Sequence, residues 1–342
     1  YSSNKYISMI TQHSWMFIST YEELRLKVLD TTFIDSMLHL GPRAFEDIGG
    51  EKVQSTAFVL RNTAVGGYRG LYSRLVDENA EGKEKAFLKK DKLYTFEQQQ
   101  FGNIAGSPIA YWASDKVVSI FKESPKLESL AEVQVGLFTC NNDYFLKLWF
   151  EVDFLNFQTR AASTREAKES NRKWFPYNKG GSFRKWYGNQ EYVVNFANSG
   201  AEIAAYREAR GQSRSLPGSD FYFQEGITWS FVSSSNFGVR YTPKGFVFDV
   251  AGSSLFPPQN EIMYFTAFLT SKLAFSLLGC LNPTLNFQAG NVRSLPIIVD
   301  EKRKEVIDDL AKQCIEISKR DWDSFETSWN FTQHPLLGHR KG

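Results

Sequence analysis

Short apolar runs alternate with one amphipathic stretch over the first sixty residues. Runs of this kind, rich in β-branched and aromatic residues, predict strands at 6–11, 33–40 and 53–61. We expect the last two strands to be joined by a loop that turns at Gly49-Gly50. A strand, a helix and two further strands in this order are typical of the end at which an α/β sheet closes.

A helix is predicted between the first two strands. Its start has a capping-box pattern, Ser19-Thr20 followed by Glu22-Glu23. Every third or fourth residue is then apolar, and we expect the buried face to consist of Leu24, Val28 and Leu29.

Beyond residue 130 the pattern changes to short strands mixed with helices. Apolar runs predict strands at 135–140, 227–233, 240–241 and 245–250. Periodic stretches predict helices at 261–278 and 302–320, the second with an apolar face formed by Val306, Ile307, Leu310, Cys314 and Ile317. The expected fold class is therefore α/β plus α+β, divided into residues 1–125, 130–325 and a tail at 326–342.

Length and composition are those of a globular chain with two domains. The chain has 342 residues, and 42% of them are hydrophobic. Polar residues interrupt its most apolar stretch, 262–278, so we expect a buried amphipathic helix there rather than a membrane span. The chain begins Tyr1-Ser2-Ser3, with neither Met nor an apolar run, which indicates a fragment or a processed product without a signal peptide.

Cysteine and histidine usage points away from disulfides and metals. The three cysteines, Cys140, Cys280 and Cys314, are far apart and form no paired motif. The four histidines also lack metal-ligand spacing. We therefore expect a reducing compartment, the cytoplasm, and no bound metal.

Basic residues are concentrated between positions 160 and 214. Eleven basic residues against five acidic ones leave about six positive charges in this stretch. Aromatic residues and the pair Gly180-Gly181 lie among them, a mixture that suits contact with nucleic-acid phosphates. A solvated surface loop explains the same composition equally well, so both interpretations stay open.

Several segments carry recognisable motifs: ISMITQHSWMF (7–17), LHLGPRAF (38–45), VQSTAFVLR (53–61), GLFTCNNDYF (136–145), QEGITWS (224–230) and NPTLNFQ (282–288) with Leu295-Pro296. These segments resemble the N6-adenine DNA methyltransferases of bacteriophage-exclusion (BREX) defence systems, which belong to the γ amino-methyltransferase class. The resemblance implies that residues 1–125 are the C-terminal part of a methyltransferase domain, the closing end of its sheet. Residues 130–325 would be a DNA target-recognition domain, and 326–342 a tail or the start of a truncated C-terminal extension.

The motifs that perform the chemistry of this family are absent from the sequence. Such enzymes hold S-adenosyl-L-methionine at a glycine-rich turn and the flipped adenine at an Asn/Asp-Pro-Pro-Tyr/Phe motif. Gly66-Gly67 lacks the context of such a turn, and Asn282-Pro283 lacks the second proline and the aromatic residue, so a helix-terminating turn after Gly279 explains it better. We expect this chain to bind no cofactor and not to methylate, whereas the intact protein would use S-adenosyl-L-methionine.

DNA recognition requires cations for phosphates and forked side chains for base edges. The candidate residues are Asn141, Asn142, Arg160, Arg165, Arg172, Lys173, Arg184 and Lys185. Any one of these arginines is more simply explained as an exposed residue in an ion pair, so the hypothesis of DNA contact rests on the cluster as a whole. As exposed charges, Arg184 and Lys185 are expected to contribute little to folding stability. The resemblance implies double-stranded DNA and other phage-defence proteins as partners, and no membrane.

Two alternatives remain. The first is a DNA specificity module without catalysis, akin to a type I restriction specificity subunit, although such a subunit would have two recognition domains and long helical spacers. The second is a fusion with a nuclease, which needs a carboxylate pair and a Glu-x-Lys on a strand. Glu51-Lys52 and Glu301-Lys302 do not offer that context.

Overall fold

The structure, a computed structural model, describes residues 4–45, 53–232, 236–284 and 286–339. The chain folds into two compact units. Unit 1 comprises Tyr1–Ser124 with Leu277–Pro283, and unit 2 comprises Pro125–Ser276 with Thr284–Gly342.

Unit 1 is built on one five-stranded sheet. Its elements are β1 (Tyr6–Gln12), α1 (Glu22–Thr31), β2 (Phe33–Gly41), β3 (Ser55–Arg61), β4 (Arg69–Arg74), α2 (Ala80–Leu88), β5 (Leu93–Glu97) and α3 (Asp115–Glu123). The strands lie in the order β1-β3-β2-β4-β5, with β2 and β4 parallel and the other neighbours antiparallel. The three strands predicted first are confirmed, whereas the turn at Gly49-Gly50 lies outside the described residues.

The core of unit 1 lies against one face of this sheet. Because side chains alternate between the faces of a strand, Met37 on β2, Phe58 on β3 and Tyr72 on β4 all point to that face and are buried. Tyr111, from the segment before α3, stacks on Tyr72 with ring centroids 4.6 Å apart. Trp15 packs edge-on against Phe58.

Helix α1 forms where it was predicted, but its buried face was predicted only in part, since Val28 and Leu29 are half-buried. Leu24 is exposed, and Arg25 is the buried residue of the helix. The Arg25 guanidinium donates hydrogen bonds to the carbonyl oxygens of Trp15, Ile18 and Gly106, at 2.6–3.0 Å. Burial lowers the pKa of Arg25, and Glu22 opposes that shift. The arginine lies inside because its guanidinium supplies donors to three loop carbonyls, of which Ile18 also accepts from the Tyr21 amide.

Two buried histidines form a hydrogen-bonded line in unit 1. His13 Nδ1 lies 2.8 Å from His39 Nε2, and His39 Nδ1 lies 3.1 Å from the Tyr111 hydroxyl. Protonating either imidazole ring would place a positive charge in a desolvated site, and protonating both would place two like charges side by side. Burial therefore lowers the pKa of His13 to about 4, and burial and His13 lower that of His39.

Acid is expected to destabilise unit 1 through His13. The folded-state pKa is about 4 and the unfolded value is 6.5, so the unfolded chain binds the proton more readily. The contribution of His13 to the free energy of unfolding is complete above pH 6.5. About 3 kcal/mol of it is lost as the pH falls towards 4. Urea denaturation at pH 7.5 and pH 4.5 measures the loss, which should be smaller in His13→Gln. Equal losses in both proteins would contradict the assignment.

In its described residues, unit 2 contains two four-stranded sheets and several helices. The strands are β6 (Glu132–Gln134), β7 (Leu146–Leu148), β8 (Trp174–Asn178), β9 (Tyr192–Asn195), β10 (Gly226–Trp229), β11 (Val239–Thr242), β12 (Val247–Phe248) and β13 (Ser254–Phe256). The helices are α4 (Asn142–Phe145), α5 (Thr164–Glu169), α6 (Ala197–Glu208), α7 (Ile262–Thr270), α8 (Lys272–Leu281, divided between the units), α9 (Ala289–Arg293) and α10 (Lys304–Trp322). The sheet orders are β11-β10-β13-β6 and β12-β8-β9-β7. The second sheet supplies much of the core through Phe175, Tyr177 and Val194.

Two predicted elements of unit 2 differ in the structure. The strand predicted at 135–140 does not form: β6 ends just before it, at Gln134, and within the range Leu137 makes only an isolated parallel bridge to Asp249. The helix predicted at 261–278 is broken at Ser271, whose hydroxyl caps α8 by accepting a hydrogen bond from the Ala274 amide at 3.1 Å. Helix α8 then continues past Gly279 and ends at Leu281.

Among the described residues, no single helix is long and apolar enough to cross a membrane. The pair Gln259–Thr270 and Lys272–Leu281, bent by 70°, passes the same test only jointly, by length and composition.

The predicted inward face of α10 is wrong. Ala311, Ile315 and Trp322 are the buried residues, and Ile315 and Trp322 pack beside Tyr187 and Met263. Val306, Leu310 and Ile317 are instead 62%, 55% and 63% exposed. Both sets satisfy helical periodicity, and the large ring of Trp322 lies on the side that packs.

Candidate nucleic-acid interface

The two candidate asparagines are engaged within the protein. Asn141 caps α4, since its side-chain oxygen accepts a hydrogen bond from the Tyr144 amide at 3.2 Å, and its amide donates to the Tyr206 hydroxyl at 2.8 Å. The Asn142 side-chain oxygen accepts a hydrogen bond from the Thr139 hydroxyl at 2.7 Å. These contacts shape the turn at 139–144.

The expectation that Arg184 and Lys185 are exposed charges is wrong. Arg184 forms a 3.2 Å ion pair with Asp321, and its guanidinium lies 5.0 Å from the centroid of the Trp322 ring. The Lys185 ammonium donates a 2.8 Å hydrogen bond to the Thr270 carbonyl, and burial lowers its pKa. Because both side chains are partly buried and bonded, their removal should lower thermal stability.

The glycine pair in the basic stretch is held by a buried arginine. Gly180 and Gly181 have φ values of +95° and +100°, which only glycine adopts without strain. The Arg240 guanidinium donates to the carbonyls of Gly180 and Gly238 and to the Ser230 hydroxyl, and burial lowers the pKa of Arg240 to about 10. This loop is therefore fixed from inside the protein.

Two neighbouring segments bring three of the predicted cations to one part of the surface. Residues 156–158 run beside the start of β8, where the Lys173 amide donates to the Asn156 carbonyl at 3.2 Å. The Gln158 amide donates to the Trp174 carbonyl at 3.0 Å, and Phe157 and Trp174 form a parallel bridge. Arg160 follows one segment, and Arg172 and Lys173 open the other.

Arg160, Arg172 and Lys173 are exposed. In the described parts of the chain, none of the three forms a salt bridge, although the Lys173 ammonium lies 5.4 Å from the centroid of the Trp174 ring. Arg165 differs, because it forms a 2.8 Å ion pair with Glu169 on α5.

The structure adds a fourth cation that sequence reasoning missed. Lys244 lies at the tip of the turn between β11 and β12, is exposed and, within the described ranges, has no salt-bridge partner. The next residue, Gly245, has φ +106° and packs so closely against the Thr159 carbonyl that a Cβ would overlap it. The turn therefore abuts the segment that carries Arg160. The sequence feature that could have revealed Lys244 is the turn Pro-Lys-Gly between two strands, which lies outside the basic stretch.

These four residues are called the basic surface: Arg160, Arg172, Lys173 and Lys244. Two large apolar side chains lie beside it, since Phe154 is 64% exposed and Leu155 is 72% exposed. Asp153 holds this short turn by accepting hydrogen bonds from the Leu155 amide and the Asn156 side chain, at 2.9 and 3.0 Å. The arrangement presents positive charge next to apolar surface.

Most aromatic residues of the basic stretch belong to the core instead. Phe175, Tyr177 and Tyr187 are buried, and Trp174 and Trp186 are partly buried. Tyr177 donates a 2.8 Å hydrogen bond to Asp249, and burial with that carboxylate raises its pKa. Among the described residues, no group of three or more His, Cys, Asp or Glu is placed to hold a metal ion.

Two curated relatives match the chain over nearly its whole length. The adenine-specific methyltransferase PglX of Lacticaseibacillus casei (strain Zhang) is 42% identical over 346 residues, which cover 98% of this chain and 28% of the relative. The adenine-specific methyltransferase BrxX of Escherichia coli O9:H4 (strain HS) is 41% identical, over 98% of this chain and 27% of the relative. The chain thus spans about a quarter of their length. No protein-family model matches it.

Solved structures share the fold at very low sequence identity. The Type IIL restriction-modification enzyme MmeI, in complex with DNA, aligns with a TM-score of 0.54 and 9% identity over 95% of this chain and 43% of that one. A nuclease-deletion mutant of the Type ISP restriction-modification enzyme LlaGI, in complex with a DNA substrate mimic, aligns with a TM-score of 0.51 and 8% identity over 92% and 35%. The mixed α/β architecture is thus shared with restriction-modification enzymes. The sequence match is far closer, and it confirms the resemblance: over nearly its whole length the chain is similar to one stretch of the adenine-specific methyltransferases PglX and BrxX.

Proposed function

We propose that this chain supplies the DNA-recognition part of an N6-adenine DNA methyltransferase of BREX-type phage defence. The observation that carries the proposal is the basic surface, four exposed cations that form no salt bridge among the described residues, in a chain whose relatives are adenine-specific methyltransferases. Positive side chains left unpaired at a surface attract phosphates and release counterions on binding. The DNA present in the MmeI and LlaGI complexes supports the same partner.

The residues divide into two proposed roles. Arg160, Arg172, Lys173 and Lys244 contact phosphates, and Phe154 and Leu155 lie against sugars or bases beside them. Of the other sequence candidates, Arg165 retains a weaker phosphate role because Glu169 already pairs with it. Asn141, Asn142, Arg184 and Lys185 act by holding the shape of the recognition region, since their polar atoms are engaged inside it.

Unit 1 is proposed to be the closing end of a methyltransferase sheet. Strand β1 lies at the edge of the described sheet, and Met9 and Ile10 on it are 51% and 62% exposed. A groove of about 530 Å³ runs over one face, lined by apolar side chains that include Ile10, Leu71 and Phe87. Exposed edges and apolar faces of this size call for a covering element. A longer polypeptide, as in the relatives, would supply it.

The proposed division of labour follows from these two units. Residues 1–125 complete the catalytic domain, 130–325 form the target-recognition domain, and 326–342 form a tail or the start of a C-terminal extension. The longer polypeptide, called the intact protein below, is cytoplasmic and binds S-adenosyl-L-methionine through residues outside this chain. Other phage-defence proteins are its proposed partners.

The test is a titration of a 30-base-pair duplex with this chain and with the intact protein at increasing salt. Each phosphate contact adds about 0.9 to the slope of log affinity against log salt, so the four cations predict a slope near −3.6. Fluorescence anisotropy between about 50 and 200 mM salt resolves that value. A slope near zero, or no binding by either protein, would overturn the proposal.

A further inference from the structure

Helix α10 presents an apolar stripe that the proposed DNA recognition does not use. The stripe consists of Val306, Leu310, Cys314 and Ile317, with Ile307 at its border. Ile307, Leu310, Cys314 and Ile317 repeat at intervals of three, four and three residues, which is the spacing of a helix-packing seam. Val306, Leu310 and Ile317 are more than half exposed, at 62%, 55% and 63%, and Cys314 is partly exposed.

The helix cannot bury this stripe by rotating. Its other side is fixed in unit 2, where Ile315 and Trp322 are buried beside Tyr187. Helix α10 also makes a lateral ion pair, since the Lys304 ammonium lies 3.5 Å from Glu261 at the start of α7. The exposed stripe therefore belongs to a firmly held helix.

The stripe is flanked by charges in the manner of a helix-packing seam. Asp309 and Lys312 form a 3.4 Å ion pair beside it, and Glu305 and Glu316 are exposed on its borders. Isolated exposed apolar residues are ordinary on protein surfaces, but a continuous row with charged borders marks a contact site. A helix with a matching apolar row is the partner that fits this spacing.

We propose that an amphipathic helix of the same polypeptide, outside residues 1–342, packs along the α10 stripe in the intact protein. The stripe extends over eleven residue steps, roughly 16 Å of helix. Its few side chains provide a few hundred Å² at most, against roughly 800 Å² per partner in a stable complex of separate chains. A helix tethered in the same chain needs far less area, because tethering gives an effective concentration in the millimolar range. The relatives offer ample chain, since this one covers 28% of their length.

This proposal stands apart from DNA recognition, because α10 carries none of the basic surface. Its test is the alkylation rate of Cys314, compared between this chain and the intact protein by an iodoacetamide pulse and peptide mass spectrometry. Cys314 is expected to react at least ten times more slowly in the intact protein. Cys140, which is partly exposed in unit 2, serves as the internal reference, and buried Cys280 as the slow limit.

Substitutions in the stripe show whether packing causes the protection. In the intact protein, Leu310→Asp with Ile317→Asp should restore the reactivity of Cys314, whereas Lys312→Ala, beside the stripe, should leave it protected. Equal Cys314 rates in both proteins would overturn the proposal. Protection that appears only as protein concentration rises would also overturn it, because the occupant would then be a second copy.

Discussion

Replacing Arg160, Arg172 and Lys173 together by Ala is expected to weaken duplex binding by the intact protein about 100-fold or more near 0.1 M salt. Three phosphate contacts account for a slope of about 2.7 in log affinity against log salt, and the substitution removes that much of it. Thermal stability should hardly change, because the three charges are exposed and form no salt bridge in the described residues. Anisotropy titrations and thermal melts measure the two quantities.

Matched variants separate DNA contact from general loss of charge. Arg165→Ala removes a neighbouring cation that already pairs with Glu169, and we expect a slope change well below one unit. Arg184→Ala with Lys185→Ala should behave in the opposite way, lowering the melting temperature with little change in slope, because both head groups bond within the protein. The triple variant could instead keep the wild-type slope of log affinity against log salt while the Arg184/Lys185 variant has a smaller one. That result would show that DNA contacts Arg184 and Lys185 rather than the basic surface.

Arg25→Met is expected to destabilise unit 1 by about 3–5 kcal/mol, as for other buried networks that lose their charged member. The substitution removes the guanidinium donors from the carbonyls of Trp15, Ile18 and Gly106, of which Ile18 keeps the Tyr21 amide. Methionine fills a similar volume, so lost packing contributes less than lost hydrogen bonds. Urea denaturation monitored by tryptophan fluorescence measures the change.

The control for Arg25 is Arg69→Met. Arg69 is exposed on β4 and donates one 3.1 Å hydrogen bond to the Thr95 carbonyl, so its loss should cost less than about 1 kcal/mol. Arg25→Lys should fall between the two, because one ammonium cannot reach three carbonyls as a guanidinium fork does. Equal stabilities of the Arg25→Met and Arg69→Met variants would show that the buried network is dispensable.

The sequence predicted the first three strands of unit 1 better than the faces of the helices, and it did not predict β4 and β5. Alternation with a period of two is a local property, and it located β1, β2 and β3 within two residues. The buried face of α1 depends on Arg25, whose carbonyl partners include Gly106, 81 residues away. No local pattern signals such a pairing. The same limit applies to α10, where Trp322 and Tyr187 decide which side packs.

The candidate interface was located by composition only in part. Charge density pointed to the stretch that contains Arg160, Arg172 and Lys173, and the structure places these three on adjoining segments. It also shows that Arg184 is bonded to Asp321, 137 residues away, which charge counting cannot reveal. Lys244 was missed because it lies far along the sequence from the other three cations. The turn between β11 and β12 brings it to the same surface in the fold.

Hydrogen exchange of the intact protein with and without duplex DNA tests the central proposal most directly. Bound DNA is expected to slow exchange at 154–160, 172–174 and 242–245, the three segments that carry the basic surface and its apolar neighbours. Exchange at 184–185 and along α10 should stay unchanged. DNA that binds while these three segments exchange at their free rates would contradict the account, because recognition would then take place elsewhere.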